Sequence, residues 1–477
     1  MSAPLEINPY VKNIQQLQSQ KLARRSEQIQ EDIRRGSITS FKEVIDVSSG
    51  NPHSGGLRPL TFVRQVLAAC FYPELLDSDG LKADVKQRAE KLLKTCVGGS
   101  VGCYTNTAGI PEVIHGITEF ISRRDGGVPC DPQNIFISSG SQWCLSNILK
   151  VLVNTKSSLP CAVLSPVPCY PTTLMSLRAQ GGLHVPYRLT EEGGWVLKGA
   201  ELQRALQSAQ GVSNPVALYV VNPGNPAGLV QSRASIQEVI RFVYENRLFL
   251  LADEVYQDCV YGENSCFVSY KQVLMEMGPP YSHSVELASF HSASKGVIGE
   301  CGLRGGYVEL VNVDQAVMDY IYKMFSLDSC ASVSGQMVLD LMTNPPQPGE
   351  PSYPLYCQEK EEIRRTLVHN ALKATEAMNL LLGFSCQPVE GGAFMFPRVD
   401  LPQRAIQRAQ EAELPADMFY CMRLLEEAGL MVIPGCDYQQ EEGTYHIRIC
   451  IMVHEEVLDE LLRRLRTFHN KFMKEFS

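Results

Sequence analysis

The sequence predicts an α/β fold built on a largely parallel sheet flanked by helices. Two observations predict it. From Asn134 onward, short apolar runs alternate with segments of helical spacing. The runs also lack the every-second-residue polarity of a half-solvated strand, so they read as strands buried on both faces, and such strands separated by helices form parallel sheets. A chain of 477 residues exceeds what one simple core accommodates, so a second domain is expected beside the sheet.

Residues 15–35 have helical spacing with charge on one side, and read as an N-terminal arm helix; residues 62–67 are also helical in pattern. The expected strands are 135–137, 162–164, 217–220, 248–251 and 286–290, and a helix opens at Ser141 and runs to about Val153. The breaker cluster Asn344-Pro345-Pro346-Gln347-Pro348-Gly349 marks a linker. Beyond it, 359–378 reads as a long helix, and Phe394, Phe396, Ile447 and Ile449 lie in short strand-like stretches. The chain thus divides into 1–85, a large domain over 86–345, and a C-terminal part over 346–477. In an open parallel sheet the ligand gathers at the carboxyl ends of the strands.

Composition narrows the partners. With 44% hydrophobic and 20% charged residues the chain is ordinary for a globular protein, and a net charge of −9 argues against nucleic acid or an anionic membrane surface. No run of eighteen apolar residues suggests a spanning helix. Residues 1–7 hold no hydrophobic signal core, and Glu27, Glu31 and Asp32 interrupt what would otherwise resemble a basic transit segment over 15–35. The sixteen cysteines are scattered without a Cys-x-x-Cys and read as reduced core thiols. A cytoplasmic protein is expected, with a mitochondrial address as the alternative. No His-Glu-x-x-His or Cys/His cluster calls for zinc, so no metal is expected, and no Gly-x-Gly-x-x-Gly follows a strand.

Three segments point to chemistry. Lys295 lies in Ser292-Ala293-Ser294-Lys295-Gly296 after a strand-like run, with Arg304 nine positions on. An amine in a hydroxyl-lined turn beside a guanidinium suits pyridoxal phosphate (PLP): the amine forms a Schiff base with the aldehyde, while Ser292, Ser294 and Arg304 hold the phosphate. Asp253 ends the apolar run that precedes Glu254-Val255-Tyr256. A buried carboxylate is costly without a partner, and a protonated pyridine nitrogen supplies one; Tyr256 then reaches the ring's phenolic oxygen. The plain alternative is that Asp253 caps a helix and Tyr256 only packs. The loop Asn222-Pro223-Gly224-Asn225-Pro226 follows a third apolar run and presents the Asn225 amide rigidly.

In this order, Asn-Pro loop, Asp-x-x-Tyr and Ser-x-Ser-Lys, the segments resemble the fold-type I PLP aminotransferases, and the likeness covers nearly the whole chain. The alanine aminotransferase branch is the most similar, through stretches such as Ser122-Arg123-Arg124-Asp125-Gly126-Gly127, Glu300-Cys301-Gly302 and Asp417-Met418-Phe419-Tyr420-Cys421. The resemblance implies that both chain ends pack together as a smaller α+β domain. It implies that Ser141 and Gln142 hold the phosphate at a helix N-terminus, that Tyr170 stacks on the pyridine, and that Arg448 clamps the substrate α-carboxylate. It implies that Tyr104 reaches the phosphate of the neighbouring subunit, which requires a homodimer. The implied reaction is L-alanine plus 2-oxoglutarate giving pyruvate plus L-glutamate in ping-pong order, with Lys295 carrying the proton between carbons.

The chain departs from the family pattern at several positions. Gln142 stands in a Gly-Ser-Gln where that branch has Gly-Ala-Ser-Asp. Ala227 replaces a threonine, Val297 and Leu303 replace tyrosines, Asp328 occupies an arginine position, and Cys436-Asp437-Tyr438-Gln439 replaces Ser-Gly-Phe-Gly. These motivate two alternatives: an aminotransferase of altered specificity, or a weakly active or non-catalytic homologue acting as a regulatory dimer.

Overall fold

The computed structural model describes residues 6–37 and 40–477; the opening residues 1–5, part of the stretch expected to lack a signal core, lie outside them. A seven-stranded sheet forms the centre: β1 (Ile135–Ser138), β2 (Cys161–Val167), β3 (Leu183–Arg188), β4 (Asn214–Val221), β5 (Phe249–Asp253), β6 (Leu287–Ser292) and β7 (Gly306–Val311). Their spatial order is β1-β7-β6-β5-β4-β2-β3. Only β7 runs antiparallel, to both β1 and β6. The remaining pairs are parallel, in keeping with the uniform burial of β2 and β6.

All five expected strands form. The two missed ones have physical reasons. β3 is an edge strand whose residues alternate between buried and exposed and which contains Pro186, a residue confined to sheet edges. β7 begins at Gly306 and carries the charged Glu309, so its sequence lacks the apolar run used to find the others. The arm helix α1 spans Ser19–Arg34, and the predicted helix over 62–67 lies within Thr61–Phe71. The helix opening at Ser141 ends at Leu152, and the one expected over 359–378 begins earlier, at Tyr353, with proline in its first turn, and ends at Asn379.

The chain ends meet. Ile45–Asp46 pairs in parallel with Leu430–Met431, and Phe394–Met395, Ile447–Cys450 and Ile433–Pro434 form a three-stranded antiparallel sheet. The C-terminal helix Glu455–Phe476 buries Leu458, Leu461, Leu465, Phe468 and Phe472 in the same core as Leu22 and Ile29 of α1. Among the described residues no helix is long and apolar enough to cross a membrane, and all sixteen cysteines are free.

Candidate active site

The carboxyl ends of β4, β5 and β6 open into a cavity of about 260 Å³. Register explains why the three predicted segments meet there. Val221 pairs with Asp253 across β4 and β5, and Asp253 pairs with Phe290 across β5 and β6. The Asn225 loop, Asp253 and the turn carrying Lys295 therefore leave the sheet side by side. Eleven of the twelve residues singled out line this cavity: Ser141, Gln142, Tyr170, Asn225, Asp253, Tyr256, Ser292, Ser294, Lys295, Arg304 and Arg448. Tyr104 does not; it is 78% exposed.

Each side chain is held. Lys295 Nζ donates to the Gly50 carbonyl at 2.9 Å, and burial lowers its pKa from the ordinary lysine value. Asp253 is half-buried and caps no helix; its Oδ2 accepts from the Tyr219 hydroxyl at 2.8 Å. Burial pushes the Asp253 carboxyl up, against the pull of that hydroxyl and of Lys295. Asn225 Nδ2 lies 3.4 Å from the Tyr256 hydroxyl, and burial pushes that phenol well above its usual value, so it stays a donor. Arg448 is 6% exposed, not a solvated strand arginine. Its Nη1 donates to Asn225 Oδ1 at 3.3 Å and its Nη2 to the Ser48 carbonyl, while Nε has no partner. The guanidinium lies 3.7 Å from the Phe394 ring centroid and 5.1 Å from that of Tyr438.

The residues fit PLP. Ser141 opens its helix, whose first amides have no intrahelical acceptor. Arg304 closes over that end, with Nη2 donating to the Ser139 carbonyl at 3.1 Å and Nη1 to that of Cys301 at 2.7 Å. The approach needs glycine at two places: a Cβ on Gly140 would sit 2.4 Å from Arg304 Nη2, and one on Gly306 would sit 2.3 Å from the Ser141 amide. Free amides, hydroxyls and a planar guanidinium gathered at one end of the cavity match a phosphate. The Asp253 carboxyl, pushed up by burial, and the Lys295 amine, pushed down by it, line the same cavity, and suit a protonated ring nitrogen and an aldehyde.

Sequence reasoning missed several lining residues. Ser48, Ser49 and Gly50 come from the N-terminal segment and Phe394 from the C-terminal one, so no local motif marks them. Tyr219 left one signal, a hydroxyl inside an otherwise apolar strand. Of the family departures only Gln142 lines the cavity, where its Nε2 donates to Ser176 Oγ at 3.0 Å. Val297 and Leu303 are half-buried against the main core, and Ala227 packs in a satellite cluster with Trp195, Phe396, Ile433 and Tyr438. Asp328 is exposed and accepts from Trp143 Nε1. Asp437 accepts from the amides of Gln18 and Ser19 at 2.8 and 2.9 Å, anchoring the start of α1.

Glu254, next to Asp253, is fully buried; it accepts from the Tyr270 amide at 2.8 Å and Ser289 Oγ at 2.5 Å. Burial pushes its carboxyl up to about 7, although Arg124 opposes this. Between its ordinary pKa and about 7 the folded chain holds a proton that the unfolded chain has released. Stability is therefore lost as pH rises through that window, by on the order of 3 kcal/mol. Urea unfolding at pH 5 and pH 8 checks this: Glu254→Gln is expected to flatten the difference, and an unchanged difference would assign it elsewhere.

A fold and cavity of this kind define a PLP-dependent transferase, and the comparisons agree. A family model described as "Aminotransferase class I and II" matches residues 74–465, and the chain belongs to that family of PLP enzymes. It is 46% identical over 471 residues to alanine aminotransferase 1 of Bos taurus, covering 99% of this chain and 95% of the relative. To alanine aminotransferase 2 of Xenopus laevis it is 43% identical, covering 99% and 87%. The solved structure of an alanine aminotransferase from Pyrococcus furiosus superposes with a TM-score of 0.76 at 17% identity, covering 98% of this chain and all of that one, which shows the shared fold.

Proposed function

We propose that this enzyme transfers the amino group of L-alanine to 2-oxoglutarate, releasing pyruvate and L-glutamate in a ping-pong sequence. The full-length likeness to alanine aminotransferases supports the substrate pair. The observation that carries the chemistry is the single cavity in which Lys295, Asp253 and Arg448 face one another. The departures at 227, 297, 303 and 328 do not line that cavity, and of 436–439 only Tyr438 touches a lining residue, Arg448, against which it packs; this favours a working enzyme over a non-catalytic homologue. The test is direct. Purified protein with PLP should be yellow and should bleach on addition of L-alanine; unchanged absorbance with alanine would reject the donor.

Bound there, PLP supplies an aldehyde for the amine and an electron sink for the carbanion formed at Cα. The chain's own residues do the rest. With the group bound, Lys295 Nζ would be the base that takes the proton from the substrate Cα and gives it back in the same cavity. Its burial favours the neutral amine that this role needs. Asp253 holds a proton on the ring nitrogen, with the Tyr219 hydroxyl orienting its carboxylate. Asn225 and Tyr256 would hold the ring through their amide and hydroxyl donors, and Tyr170 would pack beside it. Ser141, Gln142, Ser292, Ser294 and Arg304 retain the phosphate.

Arg448 binds the α-carboxylate shared by every amino and 2-oxo acid in the cycle. Its two aromatic neighbours fix the plane of the guanidinium. Arg448→Lys keeps the charge but loses the planar fork, so KM for both alanine and 2-oxoglutarate is expected to rise about 100-fold while kcat changes less. Steady-state kinetics decides; unchanged KM values would remove Arg448 from the substrate site.

The same reading includes a homodimer in which Tyr104 completes the neighbouring phosphate site, consistent with the exposure of that phenol. It also includes a domain division near residues 85 and 345, which limited proteolysis would test. We place the protein in the cytoplasm, where its free thiols stay reduced; cell fractionation separates this from a mitochondrial address.

A further inference from the structure

The loop that carries Tyr104 is tied to the body of the protein by one buried side chain. Gln336, in the first turn of the helix Val333–Thr343, is fully buried. Its Oε1 accepts from the Ile110 amide at 2.7 Å, at the entry to the helix Pro111–Arg124. Its Nε2 donates to Thr105 Oγ1 at 2.9 Å and to the Ala331 carbonyl at 3.0 Å. One amide thus grips the residue after Tyr104, the far end of the 104–110 loop, and the segment 328–332 where the chain departs from its family.

Little else holds the near end of that loop. Its other ties are local or lie beyond Thr105: Thr105 Oγ1 donates to the adjacent Asn106 carbonyl at 3.3 Å, Gly109 to the Asn106 carbonyl, Ile137 to that of Ala108, and Thr107 Oγ1 to that of Ser329. Tyr104 itself is exposed and packs into no core of the described residues. A phenol on such a loop contributes to binding only if its backbone is already in place, because ordering it on contact consumes the gain. A buried amide using both an acceptor and two donors is an expensive arrangement to break and so a rigid one.

We propose that Gln336 is a positioning residue for cofactor retention: it holds the 104–110 loop so that Tyr104 meets the phosphate of PLP bound in the neighbouring subunit. This rests on the reading of Tyr104 given above. The sequence offered no signal for it, since Gln336 lies 232 positions from Tyr104 and touches no cofactor.

The test measures PLP affinity of the apoenzyme by absorbance titration, with the dimer followed by sedimentation, for Tyr104→Phe, Gln336→Met and the double variant. Each single change is expected to weaken PLP binding about tenfold in an intact dimer. The double variant is expected to bind no more weakly than Tyr104→Phe, since both act through one phenol. Additive losses, or a Gln336→Met dimer that binds PLP normally while Tyr104→Phe does not, would overturn the positioning role. Normal binding by Tyr104→Phe would instead remove the cross-subunit contact, and the proposal with it. Should Gln336→Met fail to fold, Thr105→Val removes the tie beside Tyr104, with the local bond of Thr105 Oγ1 to the Asn106 carbonyl, and leaves the Gln336 ties to Ile110 and Ala331 in place. It is expected to weaken binding in the same direction, and unchanged affinity there would also overturn the proposal.

Discussion

Lys295→Ala is expected to lower transamination by at least about 10⁴-fold. Proton transfer by a positioned side chain contributes about 10²–10⁴-fold by itself, and the lost amine also anchored the aldehyde. Among the described residues no other lysine lines the cavity, so no second amine replaces the base. The Nζ position, 2.9 Å from the Gly50 carbonyl and bordered by Phe394, is enclosed enough that water substitutes poorly. The measurement is single-turnover bleaching with L-alanine on the variant reconstituted with PLP. Residual turnover above about 1% of the parent would mean that another group carries the proton.

Asp253→Asn has the second largest expected effect. An amide neither holds the ring nitrogen's proton nor balances the resulting cation. Breaking a buried charge pair costs about 3–5 kcal/mol, which as a barrier corresponds to roughly 10²–10⁴-fold in kcat. PLP should still bind, because Asp253 makes no hydrogen bond to Ser141 or Arg304, the residues proposed to hold the phosphate, so the loss should fall on kcat rather than on cofactor content. Tyr219→Phe should act in the same direction and more weakly, since it removes only the 2.8 Å hydrogen bond that orients the carboxylate. An Asp253→Asn enzyme retaining a tenth of parental kcat would dismiss the electron-sink role of this residue.

Legibility followed locality. β4, β5 and β6 are buried on the sheet, so each left a mainly apolar run, and the segment after each run pointed to the site. β3 and β7 escaped because one is a half-exposed edge and the other carries a buried glutamate. Glu309 tolerates burial only because Lys271, also buried, pairs with it, and the two are far apart in sequence. The same rule holds in the cavity. Lys295, Asp253 and Asn225 sit in motifs a few residues long, whereas Arg448 stood in a short strand and needed the family resemblance. Tyr219 hid within an apolar run. Within the 436–439 departure, Asp437 anchors the start of α1 while Tyr438 packs on Arg448, a division of roles that no local pattern shows.

By itself the sequence determined the kind of chemistry: an amine, an acid and a guanidinium, each placed at the end of a strand or in a tight turn by backbone preferences that act over a few residues. Only the tertiary structure decided what surrounds them. Gly50 meets Lys295 across 245 positions and Ser48 meets Arg448 across 400, because the burial of both chain ends in one core, and no local pattern, brings those loops over the sheet. Hydrophobic burial is non-directional, so which distant segments it pairs emerges only when the whole chain packs.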